Sequence, residues 1–315
     1  MTKCKECEKE FKNDRGLHAH IKLHKLKVQD YYYKFFPRKD LHSGEKILFK
    51  NKEQYLSSDF NNKNNMRYWL KSSPKKVAQR YAKDILLKRK KRKKLNFAPS
   101  QIELRTITAP PVQFYNDIFG DYYEVCKELD LKNKFKILPK ERLTVDPKHD
   151  KDDYSILVDT REQQPLKFSY PIEVQTLPFG DYALSDLKLS CNCFIERKSL
   201  NDFIGTLSGG YSRFRNEIER AIFNDCYLVV LVERNLNDCK SFNYLSEIKK
   251  KMTTLKVTPD YIFHNVRELL QDYHQLQFLF VDGREESARV IEKILTTGCA
   301  YKDIDLQYAY DMKLL

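Results

Sequence analysis

No apolar run in these 315 residues approaches the ~20 needed for a membrane-spanning helix. The N-terminus lacks the basic, apolar and small-residue succession of a signal peptide. The eight cysteines form no even framework of the secreted kind. The expectation is an intracellular chain with reduced thiols, apart from any that hold metal, nuclear if eukaryotic and otherwise in the cytoplasm or nucleoid. Acid is also scarce in the first half. Residues 1–150 carry 36 Lys and Arg against 19 Asp and Glu, whereas residues 151–315 carry 21 against 25. Electrostatic grip on a polyanion therefore belongs to the first half.

What is present is enough for a core: 41% hydrophobic and 13% aromatic residues suit two or so folded domains. Cys4-x2-Cys7, Phe11, Leu17, His20-x3-His24 opens the chain. The pattern resembles a Cys2His2 zinc finger, with Phe and Leu as its small core. A redox Cys-x2-Cys pair is the alternative, and the two histidines argue against it. Burying Phe11 and Leu17 yields ~4–5 kcal/mol, against ~1 kcal/mol or more per ordered backbone. Structural Zn²⁺ contributes roughly 10–16 kcal/mol, so the segment should not fold without it. The base-facing positions of such a helix would be Asn13, Gly16 and Ala19, which read sequence poorly. Docking through Lys12, Arg15, Lys22 and Lys25, or a protein contact, fits better.

Residues 28–139 read as a basic, aromatic, mainly helical region. Tyr31–Phe36, Tyr55, Phe60, Tyr68 and Trp69 suit either stacking on unpaired bases or the core of a small domain. The Asn-rich stretch 61–65 reads as a loop before a short helix with Met66, Trp69 and Leu70. Ser73-Pro74 reads as a helix start, and Val77, Ala78, Tyr81, Ala82, Ile85 and Leu86 recur at helical spacing. That helix runs into Lys88, Arg89, Lys90, Lys91, Arg92, Lys93 and Lys94, a candidate phosphate-binding arm or, alternatively, an import signal or solvated face. Pro110-Pro111 opens further helices. The polar stretch 140–153 reads as a linker.

Beyond it, strands and helices alternate, which implies an α/β layer structure with a mixed central sheet. Strands are expected at Ser155–Asp159, Glu173–Leu177, Leu187–Arg197, Tyr227–Glu233 and Leu276–Val281, with helices from Ser199, over Tyr211–Phe223 and over Glu285–Leu295. Glu196 and Lys198 are two apart and share a strand face, while Arg197 turns away. A turn at Gly180-Asp181 can bring a second carboxylate beside them. Two acids can hold a hard cation, and a lysine can orient the water it activates. A Glu-x-Lys pair alone would more often be a surface ion pair.

Gly180-Asp181, Glu196-Arg197-Lys198 and Asp202, with Val158-Asp159-x-Arg161-Glu162 upstream, resemble the signature of the XPF-type structure-specific endonucleases, a branch of the PD-(D/E)xK superfamily. The resemblance implies a restriction-endonuclease-like domain over 154–297, followed by a tail at 298–315. It implies Asp181 and Glu196 as ligands of Mg²⁺ or Mn²⁺, Lys198 positioning the attacking water, and Asp159 assisting. Arg161 and Glu162 would organise the site or touch phosphate, and Arg197 would contribute through its backbone carbonyl. Asp202 would orient Lys198 or cap the next helix, and Arg213 and Arg215 would hold a substrate phosphate or pair with Glu217 and Glu219. DNA is the implied partner, with a possible dimer through the nuclease domain and branched or flap DNA as substrate. Two features depart from the family: neither a tandem helix-hairpin-helix unit nor a helicase domain is present, which puts dimerisation and branch preference in question. The rival reading is a zinc-finger DNA-binding adaptor with a silent nuclease-like domain, against which Asp181, Glu196 and Lys198 are all intact.

Overall fold

The structure, a computed structural model, describes residues 2–38, 46, 49, 51–57, 70, 73–107, 109–144, 153–245, 248 and 257–315. The expected loop at 61–65, the helix around Met66 and Trp69, and most of the 140–153 linker lie outside these residues. The chain divides into two compact units, Met1–Lys88 with Thr108–Val125, and Arg89–Ile107 with Cys126–Leu315.

In chain order, strands β1 (Thr2–Lys3) and β2 (Glu10–Phe11) pair antiparallel ahead of helix α1 (Asp14–Ile21). This is the ββα pattern the metal-ligand spacing implies. Helix α2 (Val28–Phe35) then extends the finger core beyond the expected boundary at 27: Tyr31 is fully buried with Cys4, Leu17 and Ile21. The Lys5 amide donates to its hydroxyl at 2.6 Å. Helices α3 (Lys52–Ser57) and α4 (Lys75–Lys93) follow. Tyr55 is buried and donates to the Tyr32 and Phe36 carbonyls, so the described rings of this stretch are mostly core. Tyr33 is 41% exposed.

Helix α5 (Gln101–Thr106) is closed by a capping box of Ser100 and Glu103. Helices α6 (Val112–Phe119) and α7 (Tyr122–Glu128) complete the first half. The second unit is built on a six-stranded sheet in the order β4-β3-β5-β6-β7-β8. Its strands are β3 (Ile156–Asp159), β4 (Ile172–Gln175), β5 (Tyr182–Leu184), β6 (Cys193–Lys198), β7 (Tyr227–Val232) and β8 (Leu276–Phe280). β5 runs antiparallel to both neighbours, and the other pairings are parallel.

Side chains alternate across this sheet. Leu157, Ala183, Phe194, Leu228 and Val230 enter one core with helices α8 (Leu200–Thr206), α9 (Tyr211–Phe223) and α11 (Pro259–Asp272). The four-residue helix α10 (Leu236–Cys239) precedes α11. Ile156, Val158, Tyr182, Ile195, Val229 and Leu231 enter the other core, with α12 (Arg284–Thr296) and α13 (Leu306–Asp311).

The expected strand over Leu187–Arg197 begins only at Cys193. Cys191 and Asn192 take φ of 52° and 55°, left-handed values that turn the chain rather than extend it. The expectation of reduced thiols fails at this turn, where Cys191 is disulfide-bonded to Cys299, 108 residues away. Residues 298–315 are folded rather than a loose tail: Tyr301, Ile304, Leu306 and Ala309 are buried in the second core. Ile102 of α5 is likewise part of the first core.

Candidate active site and zinc cluster

Because β5 is antiparallel to β3 and β6, its start lies level with their ends. Asp159, Asp181 and Glu196 therefore meet at one rim. By strand parity they share the face of Leu157, Ala183 and Phe194. The Asp181 amide donates to the Ile195 carbonyl at 2.8 Å, and the Asp159 amide donates to the Asp181 carbonyl at 2.9 Å. Gly180 permits this approach. Its φ is +62°, and a Cβ there would stand 2.7 Å from the Ile195 carbonyl oxygen, so no other residue fits without moving β6.

At the rim, the Lys198 ammonium donates to Glu196 Oε1 at 2.7 Å, with both side chains largely buried. Lys198 also lies 5.1 Å from the Phe214 ring centroid, which fixes its stem against α9. The Arg197 amide donates to Asp181 Oδ2 at 2.7 Å. Burial and then the neighbouring Glu196 charge push the Asp181 carboxyl up to about 7, against the pull of that amide. Two acids forced together in this way form an oxygen donor pair that a divalent cation would relieve. The pair thus fits Mg²⁺ or Mn²⁺, with water or phosphate oxygens completing the shell.

A third carboxylate, Glu217 of α9, was read from sequence only as an ion-pair partner of its own helix. Burial and then Glu196 raise its pKa, while Lys198 is the first charge opposing them. Its charge is therefore felt by Glu196 and Lys198, although it does not join Asp181 and Glu196 in a three-acid ligand group. The available signal is Phe214, three residues earlier on α9 and in contact with Lys198.

The other motif residues build the frame. Asp159 is 1% exposed. It accepts from the Arg161 amide and guanidinium and from the Leu177 amide. Burial would raise its pKa, but these donors, Arg161 first, hold it below the ordinary value. Its oxygens are thus committed inside the protein. Arg197 points to the opposite face, as its parity requires. There it pairs with Glu162 at 2.8 Å and Glu233 at 2.9 Å, all three largely buried. Ser199 caps α8 and Asp202 holds the cap in place: the Asp202 amide donates to the Ser199 hydroxyl, which donates back to the Asp202 carboxylate at 2.6 Å.

The basic residues separate into two groups. Arg89 is buried against Glu103 at 2.7 Å, Lys90 pairs with Asp130, and Lys93 pairs with Glu268. These three hold the second unit together. Lys88, Lys91, Arg92 and Lys94 are exposed, although Lys88 pairs with Asp84 on its own helix. Arg215 pairs with Glu219 and Asp272. Arg213 is exposed, and among the described residues it has no carboxylate partner.

In the first unit, the ligand atoms of Cys4, Cys7, His20 and His24 lie within 4.8 Å of one another, the one such group of three or more among the described residues. Cys7 Sγ is 3.1 Å from His20 Nε2, and the two Nε2 atoms are 3.0 Å apart. Two thiolates and two imidazoles at these separations suit a tetrahedral Zn²⁺. Asn13, one of the expected base-facing positions, accepts from the Gly16 amide at 3.0 Å and caps α1.

This architecture is that of a nuclease-type α/β domain. Residues 158–294, downstream of the Cys2His2 cluster, match the family model of the ERCC4 domain. Two solved structures are similar. One is XPF from Aeropyrum pernix, 18% identical with a TM-score of 0.33, over 45% of this chain and 63% of that one. The other is XPF from Aeropyrum pernix in complex with DNA, 19% identical with a TM-score of 0.32, over 45% and 62%. The chain spans less than two thirds of either. Among curated proteins, none matches.

Proposed function

We propose that the second unit is a divalent-metal-dependent DNA endonuclease acting at flaps, forks or other branch points. In this reading the zinc-stapled finger and the exposed residues of the 88–94 run dock the chain on DNA. The observation that carries it is the Lys198–Glu196 hydrogen bond of 2.7 Å, beside the crowded carboxylate of Asp181.

Asp181 and Glu196 would hold Mg²⁺ or Mn²⁺, which would polarise a phosphoryl oxygen and acidify a water. Asp181 is aimed by the Arg197 amide and by the strand register around Gly180. Lys198 stands where it can hold the attacking water by hydrogen bond and offset the negative charge that builds on phosphorus. Glu217 adds negative charge near Glu196 and Lys198. Asp159 keeps Arg161 at the rim, where its exposed guanidinium edge can meet a phosphate oxygen. Arg197, held by Glu162 and Glu233, is a positioning residue.

The test is cleavage of labelled flap, fork and plain duplex DNA by the full chain in Mg²⁺, with Lys198→Ala beside it. Cutting by the parent and loss of at least a hundredfold in the variant supports the reading. Equal activity in the variant rejects the mechanism. Tight DNA binding without cutting by the parent means a silent domain in a DNA-binding adaptor.

A further inference from the structure

Off the C-terminal ends of β7 and β8 lies a cavity of about 890 Å³, on the same rim of the sheet that carries Glu196 and Lys198. Its charges divide unevenly. Arg105 is paired with Asp311, Arg289 with Glu286, and Asp238 with Arg234. These acids are already matched inside the protein. Arg142, Lys293 and Lys313 remain, facing the single carboxylate of Asp282, which accepts from the Tyr310 hydroxyl. Among the described residues neither Arg142 nor Lys293 has a carboxylate partner.

Folding thus brings Arg142 and Lys293 close to Arg289, whose guanidinium is already taken by Glu286 and by the Leu315 carbonyl oxygen. Burial, and after it the charges of Arg289 and Arg142, holds the Lys293 ammonium below its ordinary pKa. Like charges gathered at the mouth of a cavity are electrostatically costly unless a ligand supplies the counter-charge. Asn235 and Asn237 also line the cavity and can donate to oxygen.

We propose that this cavity binds phosphate groups, with Arg142 and Lys293 supplying the charge that holds them. The ligand chemistry is a phosphate oxyanion, either from the backbone of a nucleic-acid strand or from a free phosphate. The strand source rests on the nuclease reading; the phosphate site does not. A strand engaged at the rim beside Lys198 would have only β7 and β8 to cross, roughly 10 Å at the usual strand spacing.

The test uses the full-length protein in magnesium-free buffer. The double variant Arg142→Gln/Lys293→Gln is compared with the charge-matched control Lys132→Gln/Lys188→Gln, both of exposed lysines. Binding of a labelled single strand is measured by fluorescence anisotropy across a salt series, and binding of inorganic pyrophosphate by calorimetry. Removing two backbone contacts should flatten the slope of log affinity against log salt by roughly 1.4, at ~0.7 per single-strand phosphate. The control should leave it unchanged. A flattened slope in the double variant alone supports the site and assigns the strand as its source. Loss of pyrophosphate binding with an unchanged slope supports the site and assigns free phosphate. If neither measurement separates the double variant from the control, the proposal is overturned. Cleavage by the parent and loss in Lys198→Ala, read on the same preparations, judge the nuclease reading separately.

Discussion

The charge on Asp181 works against the fold that carries it. With no metal, its pKa of about 7 in the folded chain stands above the ~3.9 of an unfolded aspartate. Between those values the folded chain keeps a proton that the unfolded chain has released. Stability should therefore fall as pH rises from about 4 to 7, then level off. Asp181→Asn keeps an acceptor for the Arg197 amide and removes the charge. In metal-free denaturant titrations, it should be more stable than the parent by roughly 2–4 kcal/mol at pH 8 and equal to it at pH 4. An equal difference at both pH values would contradict the crowding of Asp181 by Glu196. Glu217→Gln makes a different prediction at the same pocket. Its cleavage rate should drop more than tenfold at low Mg²⁺ and recover in part as Mg²⁺ is raised; a deficit indifferent to metal would show that the charge of Glu217 does not act on the metal site. Arg197 answers to stability first. Arg197→Ala strands Glu162 and Glu233 as buried, unpaired acids and should cost about 3–5 kcal/mol in a urea titration.

At the scale of elements, the sequence shows best what period-two alternation and apolar runs dictate. β3, β7 and β8 lie within a residue or so of where their Val, Ile and Leu runs put them, and the parity of Glu196, Arg197 and Lys198 holds. β5 was not legible, because three residues between a turn and a loop carry no period. β6 was over-extended, because Leu187, Leu189, Cys191 and Cys193 alternate like a strand, and nothing in that pattern reveals the left-handed turn at Cys191-Asn192. Glu217 was missed for a related reason: a helix's phase against a distant rim is a tertiary fact. The finger shows the same limit, since the Cys and His spacing was plain but the dependence of its core on α2 was not. That dependence is testable. Removing Zn²⁺ with a chelator should lose the helical circular dichroism of α1 and α2 together, because Tyr31 packs on Cys4, Leu17 and Ile21. Tyr31→Ala should weaken zinc binding although Tyr31 is not a ligand. Loss of α1 signal with α2 intact would show that the two fold independently.

For the whole molecule, the compact unit that holds the ERCC4-type domain begins well before that domain does. A boundary near 154 follows the polar linker, yet the second unit takes Arg89–Ile107 and the segment from Cys126 as its own. The Gln101 amide donates to Asp305 at 2.6 Å, and Arg105 pairs with Asp311 at 2.6 Å, each across more than 200 residues. The buried Arg89–Glu103 pair is joined by Gln271, which donates to Glu103 at 2.7 Å. Half-buried Lys134 donates to the carbonyls of Leu270, Tyr273 and Leu276. Separations of this length leave no mark in a local pattern, which is why these segments read as part of a separate basic region. A fragment of residues 154–315 would expose Ile102's place in the core. It would also leave Asp305, whose carboxyl burial has pushed up to about 6, without the Gln101 amide that offsets that burial. Each buried acceptor left unmatched costs about 1–3 kcal/mol, and the opened core adds to that, against a domain's total of roughly 5–15 kcal/mol. The 154–315 fragment should therefore be insoluble or unfold at a much lower urea midpoint than 89–315, which should match the full chain's nuclease transition. Equal midpoints and slopes for the two fragments would mean that the early helices only rest on a domain already complete without them.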